Sequence, residues 1–149
     1  KSPGMVSEEN QQTLSDQDYY WVLGTERGEP YYFSEHRDQV VFLNFWATWC
    51  GPCLAELPEI QRAYDTFGHE VNFLLVTNQQ PSVVEPFLKE RGYDLPVYYM
   101  GTSVPEVFRS DRIPTTYIIS REGKIVSEKT GAVNWDSKAT YRLFEELLN

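Results

Sequence analysis

The sequence predicts a mixed α/β fold: a central sheet with helices on both faces and an extra β-hairpin on its N-terminal side. Three observations predict it. Near-continuous apolar runs at 40–46 and 71–77 read as strands buried on both faces. Apolar residues recur at helical spacing between and after them. Late in the chain, 115–120 and 124–130 flank Glu122-Gly123 as strand, turn and strand. The order is βαβαβ followed by ββα. Short β/α crossovers force parallel neighbours, and the late hairpin adds antiparallel ones.

The elements follow in order. Residues 1–17 are polar, rich in Ser, Glu and Gln, and lack periodicity, so they read as a flexible lead or tether. The domain proper is expected over 18–149. Aromatic-rich 19–23 and 29–33, separated by Gly24-Thr25-Glu26-Arg27-Gly28, read as a β-hairpin. His36-Arg37-Asp38-Gln39 leads into the central strand at 40–46. From Cys53, Leu54, Leu57, Tyr64 and Phe67 mark a helix that Gly68 stops, with a kink expected at Pro58. Ser82 is the expected cap of a helix running to Arg91, with Gly92 ending it. A short strand is expected at 95–100 and a short helix at 104–109. Asp136 is the expected cap of a last helix, which buries a stripe of Tyr141, Phe144, Leu147 and Leu148.

Bulk properties bound the function. At 149 residues, 41% hydrophobic and 15% aromatic, the chain supports one domain with a real core rather than disorder. A formal charge of −9 argues against nucleic acid as a partner, because phosphate binding needs clustered Lys and Arg. The acidic surface reads as a solubility device. No stretch approaches the ~20 apolar residues that span a bilayer. The chain opens at Lys1 rather than at a methionine, and an export signal or membrane anchor ahead of it is expected. Two cysteines do not decide the compartment: a secreted protein keeps them as a disulfide, and a cytosolic one cycles them.

Those two cysteines carry the main functional signal. In Trp49-Cys50-Gly51-Pro52-Cys53 they stand two residues apart, between a strand-like run and a helix-like one. A Cys-X-X-Cys pair at such a junction suits reversible thiol–disulfide chemistry. The first sulfur meets the unpaired N–H groups and positive dipole end of the helix, which favour a thiolate. The second lies one turn further in, within reach of ring closure. The bland alternative is a structural disulfide.

The chain resembles the thioredoxin fold, and within it the TlpA/ResA/DsbE-like branch of exported or membrane-tethered thiol–disulfide oxidoreductases. The resemblance rests on Val41-Phe42-Leu43-Asn44-Phe45-Trp46-Ala47-Thr48-Trp49-Cys50-Gly51-Pro52-Cys53 and Glu56-Leu57-Pro58. Further on it rests on Glu90-Arg91-Gly92-Tyr93-Asp94-Leu95-Pro96-Val97, Ile113-Pro114-Thr115-Thr116-Tyr117-Ile118-Ile119 and Gly123-Lys124-Ile125-Val126. It departs from thioredoxin at Asn44, where an ionisable Asp is usual, and in reading Ile119-Ser120 where the branch has Ile-Asp.

The resemblance implies roles. Cys50 is the expected nucleophile and Cys53 the resolving thiol. Spacing alone makes Glu56 a solvated helix residue; the resemblance makes it the carboxylate that exchanges a proton with Cys53. The Ile113–Pro114 bond is expected to be cis beside the cysteines, against the base rate for X-Pro bonds. Pro114 then approaches the sulfurs without offering an N–H. Ile113 and Thr115 flank it, with the Ile113 backbone left to pair with an extended substrate peptide. Trp49 is read as a part-exposed lid, Trp46 as core, and Gly51-Pro52 as leaving the sulfur free of bulky charge. Gly131 is either a close-approach point for substrate or a plain turn. His36 and His69 lack ligand spacing, so no metal is expected.

The implied function is disulfide reduction on protein substrates in the periplasm or otherwise outside the cytosol, with an upstream membrane thiol donor restoring the dithiol. Relatives of this kind often serve cytochrome c maturation. No cofactor beyond the Cys50/Cys53 disulfide is expected. The rivals are a general cytosolic thioredoxin, an oxidase or isomerase running the exchange differently, and a metal-binding or thiol-sensing module.

Overall fold

β3 (Val41–Phe45) sits in the middle of the molecule because every one of its side chains is buried. A strand without a polar face must be covered on both sides. In the computed structural model, which describes residues 3–149, β3 pairs in parallel with β4 (Asn72–Thr77) and antiparallel with β6 (Thr115–Ile119). The sheet has seven strands in the order β2-β1-β5-β4-β3-β6-β7. β5 (Val97–Met100) continues the parallel set beside β4, and β7 (Ile125–Thr130) closes the late hairpin. The N-terminal hairpin, β1 (Val22–Gly24) and β2 (Pro30–Tyr32), joins antiparallel to β5.

Side-chain alternation along β3 divides the core. Phe42 and Trp46 face a cluster with Leu57, Ile60 and Phe67 of α2 (Gly51–Phe67), Val84 and Leu88 of α3 (Pro81–Arg91), and Leu143 and Phe144 of α4 (Lys138–Leu148). Val41, Leu43 and Phe45 face a second cluster with Trp21, Phe33, Phe108 and Tyr19 of α1 (Asp16–Tyr19). The long helices thus share one face, and short helical turns cover the other. The reason is handedness: β3–α2–β4 and β4–α3–β5 step across the sheet in the same direction, and right-handed crossovers then put both helices on one side.

The lead does not follow the flexible reading where the structure describes it. Residues 3–14 lie along β7, bridging at Met5–Ser127 and Thr13–Lys124. The Val6 N–H donates to the Val126 carbonyl at 2.9 Å, and the Ile125 N–H donates to the Gln12 carbonyl at 2.9 Å. Ser15 then caps α1 with a reciprocal capping box to Asp18. β7 is the edge strand, and its outward N–H and C=O groups bind a chain of any composition. That bonding leaves no periodic trace in the sequence. Lys1 and Ser2 lie outside the described residues.

Three local expectations are corrected. The N-cap position of α3 is Gln80, whose side chain makes no capping bond, and the helix opens at Pro81 because proline's fixed φ suits the first helical turn. α4 is capped by Ser137, whose hydroxyl accepts from the Thr140 N–H, while the Asp136 carboxylate is taken by Arg62 and Tyr141. The helix expected at 104–109 is only a 3-10 turn, Glu106–Phe108. Pro58 lies inside α2, as the sequence placed it.

Candidate redox site

Cys50 is the N-cap of α2, and its sulfur accepts from the Cys53 N–H at 3.2 Å. The dipole and an unpaired amide of the helix therefore aim at the first sulfur, as a thiolate would require. Cys50 and Cys53 are joined as a disulfide. The first is 5% exposed and the second fully buried, so an incoming disulfide reaches Cys50 first. The loop ahead of them is pinned by Gln79, whose side-chain oxygen accepts from the Thr48 N–H at 2.8 Å and whose amide donates to the Thr48 hydroxyl at 2.9 Å. Gly51 and Pro52 are exposed, leaving the approach to the sulfurs open.

The second wall comes from the start of β6. The Ile113–Pro114 bond is cis. The Ile113 carbonyl oxygen lies 3.8 Å from Cys50 Sγ, where a reduced thiol would donate to it. The Pro114 carbonyl accepts from the Gly131 N–H at 2.8 Å. Gly131 adopts φ 96°, a left-handed conformation that favours glycine, and a side chain there would meet open space. The turn reading explains Gly131. The Thr115 hydroxyl points away from the sulfurs and donates to the Arg112 carbonyl at 2.8 Å, bracing the bend.

Glu56 is 1% exposed, one helical turn after Cys53 on the same side of α2. Its Oε1 accepts from the Trp135 indole N–H at 3.0 Å and the Val133 backbone N–H at 3.2 Å. Its Oε2 accepts from Asn44 Nδ2 at 3.0 Å. Burial pushes its pKa up to about 7, and the three donors only partly offset that. A carboxyl group with that proton affinity is suited to taking up and returning a proton near neutral pH.

Beside the sulfurs, on the face away from α2, opens a groove of about 610 Å³. Phe45, Val76 and Phe108 line it, with Trp49 at its mouth and Arg109 and Arg112 on its rim. Trp49 is 71% exposed, more than a lid in place would be, while Trp46 is core.

A family model described as the AhpC/TSA family matches residues 13–128. The chain belongs to this family. Within it, the chain is ResA-like. Thiol-disulfide oxidoreductase ResA of Bacillus subtilis (strain 168) is 33% identical over 116 residues, covering 76% of this chain and 65% of that protein. The chain thus matches just under two thirds of that relative's length. The crystal structure of the pneumococcal exposed lipoprotein thioredoxin Etrx1 from Streptococcus pneumoniae strain TIGR4 has a TM-score of 0.70 and 28% identity, covering 85% of this chain and 98% of that one. A thiol:disulfide interchange protein of the thioredoxin family from Chlorobium tepidum TLS has a TM-score of 0.69 at 23% identity, covering 99% and 97%. The fold is the thioredoxin fold.

In this ResA-like protein the residues singled out from sequence converge at the ends of β3 and β6. Sequence reasoning missed the partners of Glu56. Trp135 and Val133 come from the segment after β7, and no local pattern marks them. Asn44 carried a signal: a polar residue within a run of buried apolar ones needs a partner. It sits opposite Thr116 in the β3–β6 register and donates to that hydroxyl at 2.8 Å. No sequence pattern marks Gln79, which binds Thr48 from 31 positions away. His36 is satisfied by the Tyr31 hydroxyl at 2.7 Å and by Gln39 at 3.0 Å, and His69 is exposed in the loop after α2.

Proposed function

We propose that this ResA-like protein is a thiol–disulfide oxidoreductase that reduces protein disulfides outside the cytosol. The observation that carries it is Cys50 at the N-cap of α2, bonded to Cys53 and backed by the buried Glu56. The reduced Cys50 thiolate attacks one sulfur of a substrate disulfide, forming a mixed disulfide and releasing the other as a thiolate. Cys53 gives its proton to Glu56 and attacks Cys50, re-forming the ring and releasing the second substrate thiol. Both electrons that reduce the substrate come from the cysteine pair. A dithiol donor in the membrane reduces the ring again.

The part-exposed Ile113 before Pro114 and the apolar groove support an extended polypeptide as substrate rather than a small disulfide. The name of the pneumococcal relative, an exposed lipoprotein, supports a location beyond the cytosol. No helix of the described residues is long and apolar enough to cross a membrane. The test is a reduction potential together with turnover on a disulfide-bonded polypeptide. A value near the about −270 mV of thioredoxin is expected; one near the about −120 mV of a strong oxidant would reverse the direction. Stoichiometric metal retention without turnover would replace the enzyme with a metal module.

A further inference from the structure

The two oxygens of Glu56 are not equivalent. Oε1 is held by the Val133 backbone N–H and the Trp135 indole N–H, two groups that only donate and cannot turn round. A proton on Glu56 must therefore sit on Oε2. The partner of Oε2 is Asn44 Nδ2, which also donates. With Nδ2 facing it, a protonated Oε2 finds no acceptor in Asn44 for its hydrogen, in a site where Asn44, Glu56, Thr116 and Trp135 are all buried. An unpaired polar group is costly in so buried a site.

We propose that Asn44 is a positioning residue whose side-chain amide turns over when Glu56 gains or loses its proton. With Glu56 ionised, Nδ2 donates to Oε2 and to the Thr116 hydroxyl, as the structure has it. With Glu56 neutral, the amide rotates by about 180°, and Oδ1 accepts from the Oε2 hydroxyl and from the Thr116 hydroxyl. Thr116 fits both states because a hydroxyl both donates and accepts.

The count of satisfied groups supports a near-balanced pair of states. In the observed state Asn44 Oδ1 has no hydrogen-bond partner among the described residues. After rotation Nδ2 takes that position instead. One amide atom is unpaired either way, so the turn loses no bond while it follows the proton. A fixed Asp in place of Asn44 could not do this, since it offers only acceptors when ionised. The charged group acting on Glu56 is Glu59, from its own helix. β3 and β6 face it with the neutral Asn44 and Thr116, and the segment after β7 with an amide and an indole. α2 also places Cys53 one turn away.

The inference rests on Glu56 being the group that exchanges a proton, and its test separates the two. Glu56→Gln places a fixed donor toward Asn44, because the Val133 and Trp135 donors hold the new oxygen at the Oε1 position. The measurement is the nuclear Overhauser contacts of the Asn44 side-chain NH2 protons in the oxidised protein. They are read at pH 9 and pH 5 in the wild type, which needs no variant to fold, and in Glu56→Gln. At pH 9 the NH2 protons should contact the Thr116 side chain. At pH 5, and in Glu56→Gln at either pH, those contacts should be lost. NH2 protons that keep the same neighbours throughout overturn the proposal, even if Glu56→Gln alters the pH profile of exchange. An unaltered pH profile with a turning amide removes Glu56 from the proton relay and leaves the turn standing.

Discussion

The indole N–H of Trp135 donates to Glu56 Oε1 at 3.0 Å, tying the segment after the last strand to the helix that carries both cysteines. This bond favours the charged carboxylate in a site that otherwise disfavours charge. Trp135→Phe should therefore raise the Glu56 pKa further. The pH profile of exchange should move upward by about one pH unit, the equivalent of ~1.5 kcal/mol for a bond to a charged group. The readout is the midpoint of the rate against pH; an unmoved midpoint would detach Trp135 from the chemistry.

Glu56 also links stability to pH. Its pKa is raised by burial from 4.5 to about 7, so between these values the folded state holds a proton that the unfolded chain has released. Stability is then highest below about pH 4.5 as far as this group decides it, and falls as pH rises to about 7. The full effect is about 3 kcal/mol. Glu56→Gln should flatten this slope and be the more stable protein at pH 8. Urea unfolding of both at pH 5 and pH 8 measures it, and parallel curves would refute the assignment.

The unequal exposure of the two sulfurs predicts unequal mutants. Cys53→Ala should accumulate a covalent adduct with a polypeptide disulfide, visible by mass under non-reducing conditions. Cys50→Ser should form none and lose turnover. An adduct through Cys53 in Cys50→Ser would exchange the roles.

Gln79 makes two hydrogen bonds to Thr48 across 31 residues of sequence. Gln79→Ala leaves the part-buried Thr48 amide unpaired and should cost about 1–2 kcal/mol. Thermal unfolding reports the cost. A cysteine loop that stays as stable without Gln79 would show that water replaces it.

Trp49 stands at the mouth of the apolar groove and is mostly exposed, so Trp49→Ala should change stability by less than about 0.5 kcal/mol. Reduction of a polypeptide disulfide should slow roughly tenfold, the worth of about 1.4 kcal/mol of contact. Reduction of a small aliphatic disulfide should not change. Equal losses on both substrates would place Trp49 in the chemistry rather than in substrate contact.

Much of this protein is decided by the sequence alone. Strands β3 and β4 follow from apolar runs, α2 from helical spacing between the cysteines and Gly68, and the thiol chemistry from two cysteines at a strand-to-helix junction. These are local signals, because a chain's period and its turn residues act within a few positions. Tertiary structure decided the rest. The lead docks on β7 through backbone groups that every residue carries, so its composition said nothing of it. Whether Glu56 is a solvated side chain or a buried base depends on Asn44 from β3, Val133 and Trp135 from beyond β7, and the burial they create. A carboxylate's proton affinity is set by what surrounds it in space, and those partners lie between 12 and 79 residues away along the chain.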